Sequence, residues 1–219
     1  MKNNIIDLLG LIFAFSCSWH FRENLPVIFR GPFVLLSTSV VAIVIMKVRR
    51  ITFKDLGLIS VPLNSQFIKS VLTVSFLIFI VQSIGIIVIG SLIGNPNEGS
   101  AITNQPQTVV GFILDIVFMT WVVTGLGEEF VFRGIIMNRF GELFKNTALS
   151  NFYLISGLQA IWFGLSHPSQ GASGMIITGL IGFFLGTYLL KRSEFGLWPR
   201  IVAHGIIDTI VLTINFIST

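Results

Sequence analysis

Three short stretches of this chain set ionisable or aromatic side chains four residues apart within apolar sequence. They are Glu128-Glu129-x-x-x-Arg133 in "GEEFVFRG", Phe163-x-x-x-His167 in "WFGLSH" and His204-x-x-x-Asp208 in "RIVAHGIID". On a helix, residues four apart share a face, so each cluster points one way. Glu128 and Glu129 project about 100° apart on a helix and so serve different tasks. Glu129 is placed to pair with Arg133, which leaves Glu128 free to face a site. A carboxylate in a dry pocket has its proton affinity raised towards the range in which it accepts a proton from water. A carboxylate one turn from an imidazole, as Asp208 is from His204, accepts a ring N–H and sets the tautomer.

Each cluster also has a purely structural explanation. The first can be a charged helix end at an interface, the second a histidine capping a helix before Pro168, and the third a buried pair tying two helices together. An ionisable group at the centre of a bilayer costs about 2.5 to 3.5 kcal/mol on insertion scales and therefore tends to face a bundle interior and find a partner. Two of the three histidines lie in or beside apolar segments, and His20 sits in a polar loop without comparable neighbours. Asp115 is a further carboxylate that can reach a site or an aqueous vestibule, and Asp7 suits a helix start, where the dipole favours negative charge.

The elements that must carry these residues are membrane-spanning helices. Hydrophobic residues make up 53% of the 219 and phenylalanine alone accounts for 21, with a mean hydropathy of +0.86. That is more than one soluble core can bury. Apolar segments run at roughly 5–19, 27–46, 67–93, 108–126 continuing into 130–144, 149–166, 172–190 and 199–217. A spanning helix needs about 20 such residues, and backbone groups in lipid must be satisfied within the segment. Strand alternation is absent, which argues against a barrel. The expected fold is all-α, a polytopic transmembrane bundle of about seven or eight helices. Two parts are expected within it, N-terminal helices over 1–107 and a catalytic helical core over 108–219. "GNPNEGS", "HPSQGASG" and "KRSEFGLWP" supply the turns. The first segment resembles a signal peptide, but no small-x-small site closes it, and an uncleaved helix is expected.

The net charge of +4 and the isoelectric point near 9.6 do not point to nucleic acid, because the Lys and Arg residues form no phosphate-binding stripe. They gather at the ends of apolar runs: Lys47, Arg49, Arg50, Lys54 and Lys69; Arg133, Arg139 and Lys145; Lys191, Arg192 and Arg200. The loops at 94–107 and 167–173 carry none. This alternation places the N-terminus in the cytoplasm and the C-terminus outside, in the plasma membrane, with Arg22 and Arg30 as exceptions on the outer side. Cys17 is the only cysteine, which excludes an internal disulfide and a Cys-based metal site; its expected place is packed within a helix. Gly182 and Gly186, four apart in "GLIGFFLGTYLL", let a neighbouring helix come close.

In order and on successive apolar segments, the three clusters resemble the motifs of the CPBP intramembrane proteases, which include CaaX prenyl endopeptidases and bacterial bacteriocin-processing or immunity proteins. The glycine-rich segment before the last motif resembles this family too. The resemblance spans roughly residues 118–212. It implies that Glu128 activates a water for attack on a peptide carbonyl, that His167 positions that water or shares its proton, and that His204 stabilises the oxyanion. Glu129 and Arg133 would hold the site, with Phe163 in support. The substrate implied is a hydrophobic or lipidated peptide or a membrane protein, within the lipid bilayer.

The commonest pattern of that family has Asn where this chain has Asp208. An ionised Asp would repel an oxyanion, so Asp208 is protonated, orients His204, or ligates a metal. Glu128, His167, His204 and Asp208 make a sufficient ligand set for a divalent metal such as zinc. No HExxH is present, however, and both carboxylates can be accounted for without a metal. Two other function classes use the same residues: a transporter or channel with Glu128, Asp115, His204 and Asp208 as an ion relay, although no inverted repeat is visible, and a non-catalytic immunity or scaffold protein.

One conflict of depth follows from the segments. If 108–126 crosses the whole bilayer, Glu128 lies at one face and His167, after a return crossing, at the other. A shared site requires the fourth helix to run on unbroken towards Gly141, or the fifth to be short with a buried end.

Overall fold

The computed structural model describes residues 2–96, 108–145, 151–191 and 193–218. Among these the chain is all-helical, with seven main helices and no strand. They are α1 (Lys2–Phe21), α2 (Val27–Arg49), α3 (Ser65–Ile93), α4 (Val109–Phe144), α5 (Phe152–Leu165), α6 (Gly171–Lys191) and α7 (Trp198–Ile217). Six of them are long and apolar enough to cross a membrane by length and composition, and α5 is the short one. Large apolar side chains such as Phe13, Leu36, Phe76, Ile87 and Ile214 stand on the outer surface, where a bilayer solvates them. The chain is therefore an integral membrane protein. Residues 97–107 and Arg192, and with them most of the expected 94–107 loop and the division at 107/108, lie outside the described residues.

Polar caps set several helix starts. Asn64 accepts the Phe67 N–H at 2.9 Å, Thr108 that of Gly111 at 3.1 Å and Asn151 that of Tyr153 at 2.8 Å, each satisfying a donor that the first turn leaves unpaired. Pro199 opens α7, where a missing N–H costs nothing.

α4 runs unbroken through all 36 residues, well beyond the roughly 20 that a span needs. Glu128 therefore lies inside it and not at its end. Over Asp115–Ile136 the helix is of the wide π type, with i→i+5 bonds of a kind frequent at functional sites. α5 has 14 residues, about 21 Å, short of the 30 Å hydrocarbon core. The first route out of the depth conflict is thus taken in full and the second in part, since α5 is short but Leu165 at its end is exposed.

Two glycine contacts hold the helices that carry the clusters. α5 and α6 pack closely along Gly164, Gly179, Gly182 and Gly186. A Cβ on Gly164 would stand 2.5 Å from the Met175 carbonyl, and one on Gly182 would stand 2.9 Å from the Phe163 ring. α4 and α7 meet at Gly125 and Gly205, where a Cβ on Gly205 would come within 2.9 Å of the Trp121 ring. α1 and α2 pack on α4, while α3 packs on α6 and α7.

Asp7 is not a dipole partner. It is buried between Arg49 of α2, whose Nη2 lies at 2.8 Å, and Arg139 of α4, at 3.5 Å, and so fastens three helices together. Arg22 and Arg30 flank Glu23, at 3.2 and 2.7 Å, which offsets part of their charge.

Candidate functional site

Glu129 is the centre of a sealed charge cluster. Its Oε1 lies 3.2 Å from Arg133 Nη1 and 3.4 Å from His204 Nδ1, and its Oε2 lies 3.8 Å from Arg200 Nε. Glu129 and Arg200 have no exposed surface and Arg133 almost none. One carboxylate thus links α4 to α7 and faces two guanidinium groups. The Arg133 guanidinium also sits 4.0 Å above the centre of the Phe163 ring, a cation–π contact that brings in α5. Arg200 donates from Nη2 to the Gly196 carbonyl at 2.5 Å, tying the network to the loop before α7.

A second set of side chains is open to the surroundings. Glu128, His167 and His204 retain 14, 20 and 16% of their side-chain surface, and Asp208 retains 34%. Glu128 Oε1 lies 3.8 Å from His167 Nε2, and His204 Nε2 lies 3.5 Å from Asp208 Oδ2. They thus form two partly open pairs, Glu128 with His167 and His204 with Asp208. The two neighbouring glutamates therefore occupy different tiers, one locked and one open.

His167 is not on the helix that carries Phe163. α5 ends at Leu165, and His167, with φ −116° and ψ 44°, begins the turn into Pro168. Its ring folds back against Phe163 edge-to-face, with centroids 4.8 Å apart, and its Nδ1 lies 2.7 Å from the Phe163 carbonyl. That carbonyl accepts the Nδ1–H, which directs Nε2 at Glu128.

Arg200 is the residue that motif reasoning passed over, having counted it only among basic loop ends. The signal was present, because Arg200, His204 and Asp208 stand four apart in one row along α7. Asp115 is not brought to this site; it lies 13 residues before Glu128 on the same helix. His20 is exposed and lies against Phe21. Cys17 is a half-buried free thiol.

The proposed metal ligand set does not converge. Among the described residues no group of three or more His, Cys, Asp or Glu side chains is arranged to hold a metal ion. The reason lies in His204, whose two ring nitrogens each face a carboxylate, Glu129 and Asp208, at 3.4 and 3.5 Å. Its lone pair is not free to turn towards Glu128 and His167.

Membrane-length helices surrounding recessed Glu, His, Arg and Asp side chains define an α-helical integral membrane protein with a polar intramembrane site. Residues 110–210 match the family model described as type II CAAX prenyl endopeptidase Rce1-like. The matched stretch begins in α4, ends in α7 and contains all three clusters. No curated protein and no solved structure matches the chain.

Proposed function

We propose that the protein is an intramembrane endopeptidase that hydrolyses a peptide bond of a membrane-associated substrate with a water activated by Glu128. The contrast between the two adjacent glutamates carries this reading. Glu129 is sealed among Arg133, Arg200 and His204, whereas Glu128 is partly open and faces His167 Nε2 at 3.8 Å. That separation exceeds a direct hydrogen bond and suits one water touching both groups.

In this mechanism Glu128 takes a proton from the water as its oxygen bonds to the peptide carbonyl carbon. The carbonyl electron pair moves onto oxygen, and His204 donates to the oxyanion from Nε2, the nitrogen on the open side. Glu129, facing Nδ1, holds that ring in place, and Asp208, which faces Nε2 at 3.5 Å, gives way to the oxyanion. Glu128 then passes its proton to the amide nitrogen as the C–N bond breaks. His167 positions the water, and Phe163 holds both His167 and Arg133 in place. No step runs through a metal. The substrate class is a hydrophobic or prenylated peptide end, the kind of substrate the family's name describes. The cell membrane with a cytoplasmic N-terminus agrees with the distribution of basic residues.

The test is cleavage in reconstituted membranes by Glu128→Gln and His167→Ala proteins, with membrane proteomes of wild type and Glu128→Gln compared to find the substrate. General acid–base catalysis contributes roughly 10²- to 10⁴-fold, and a loss of that size is expected while thermal unfolding stays near wild type. Full activity in both variants overturns the mechanism, as does ion flux that depends on Glu128 without any proteolysis.

A further inference from the structure

At the end of α2, away from the clusters, an open groove of about 500 Å³ is walled by Ile43, Met46, Ile51 and Phe53 and rimmed by Lys47 and Arg50. We propose that it is a binding site for one anionic phospholipid, with the headgroup phosphate on Lys47 and Arg50 and an acyl chain along the apolar wall.

Depth is the first support. α2 is a candidate span that ends at Arg49, so Lys47 and Arg50 stand at headgroup level. Ile43 lies seven residues earlier, about 10 Å along the helix, within the acyl region. The groove thus has charge at the interface and carbon below it, the order in which a phospholipid presents itself.

Charge is the second support. Among the described residues Arg49 is paired with Asp7 and Arg139 shares that carboxylate, whereas neither Lys47 nor Arg50 makes an ion pair, and both are exposed. The nearby acid is Asp55, in the turn that follows. The Thr52 hydroxyl and backbone N–H bond Asp55 and hold its carboxyl below the usual carboxylate range, with Lys54 alongside. Its charge is therefore engaged locally. Basic pockets on the cytoplasmic side of membrane helices are suited to anionic headgroups.

The backbone is the third support. α2 closes in a Schellman turn in which Ile51 N–H donates to the Met46 carbonyl at 2.9 Å and Arg50 N–H to that of Lys47 at 3.3 Å. Arg50 holds the left-handed position of this turn, with φ 56° and ψ 37°, and among the described residues it is the one non-glycine at positive φ. Glycine is the usual occupant of that position because it has no Cβ to clash. A long cation there brings a cost in backbone conformation that glycine avoids, and puts a guanidinium at the groove's mouth.

Full-length protein in phosphatidylcholine nanodiscs, with and without phosphatidylglycerol, tests the site by thermal unfolding and by native mass spectrometry. Wild type is expected to gain several degrees and to retain one phosphatidylglycerol. Arg50→Gly is expected to unfold at the same or a higher temperature in phosphatidylcholine, because it relieves the turn, and to lose most of the gain. Lys47→Gln is expected to lose part of it. Lys69→Gln, an exposed charge at the start of α3, is expected to keep it whole. The proposal is overturned if Arg50→Gly keeps the full gain, if Lys69→Gln loses as much as Arg50→Gly, or if phosphatidylglycerol stabilises wild type no more than phosphatidylcholine does.

Discussion

Glu129 Oε1 lies 3.4 Å from His204 Nδ1, joining the middle of α4 to the first turns of α7 through two side chains that belong to different motifs. Because Glu129 also faces Arg133 and Arg200, it is the anion that makes two buried guanidinium groups tolerable. The open site depends on this anchor, since His204 presents its other nitrogen to Asp208.

Removing that anion should destabilise the protein far more than removing its neighbour. Glu129→Gln leaves Arg133 and Arg200 uncompensated, and breaking a buried pair from one side costs about 3 to 5 kcal/mol. Unfolding in detergent should show that loss for Glu129→Gln and little change for Glu128→Gln. Similar stabilities for the two would mean that the charge cluster is not structural.

Arg200 and Glu129 should be energetically coupled. Once Glu129 is gone Arg200 is a buried cation without its anion, so removing it as well relieves part of the cost, and Glu129→Leu with Arg200→Leu should cost less than the sum of the single variants. The coupling expected for side chains sharing such a network is about 0.5 to 3 kcal/mol. Additive effects would show that the 3.8 Å approach between them carries no energy.

Under the proposed mechanism, His204 and Asp208 would divide the oxyanion chemistry differently from a His and Asn pair. If Asp208 only faces the His204 Nε2–H until the oxyanion replaces it, Asp208→Asn should retain cleavage, since the Asn side-chain oxygen can accept the same N–H. His204→Ala should lower turnover by about 10² to 10³, the effect of removing one oxyanion donor. Loss of activity in Asp208→Asn comparable to that in His204→Ala would assign the carboxylate a chemical part of its own.

The helix contact at Gly205 should be as sensitive as the site it positions. An added methyl there meets the Trp121 ring at 2.9 Å, and overpacking of this kind costs about 1 to 3 kcal/mol. Gly205→Ala should therefore lose stability and activity together. Gly141, on α4, has open space around it, so Gly141→Ala should be neutral or stabilise by up to about 1 kcal/mol. Equal effects from the two substitutions would argue against a specific α4–α7 contact.

Much of the architecture was legible because spans announce themselves by length and apolarity, and all seven expected segments are helices among the described residues. The pairing of Glu129 with Arg133 followed from their four-residue spacing, and the glycines of α6 lie where close packing required them. Local spacing was silent wherever partners are remote in the chain. Asp7 meets Arg49 and Arg139 from 42 and 132 residues away, and no pattern within α1 announces this. Arg200 passed for a helix-end charge because positive residues gather there for orientation as well. His167 looked helical by its distance from Phe163, yet it lies in the turn, where the Phe163 carbonyl and not helix periodicity aims the ring.

The shortness of α5 has a consequence for the lipid around it. Its length falls about 9 Å below the thickness of an average hydrocarbon layer, and a bilayer meeting so short a wall thins locally rather than leaving polar chain ends in oil. Such thinning would fall beside the turn that holds His167. Under the proposed mechanism, headgroups and the moisture they carry would sink there towards the imidazole, and a scissile bond would have correspondingly less oil to cross.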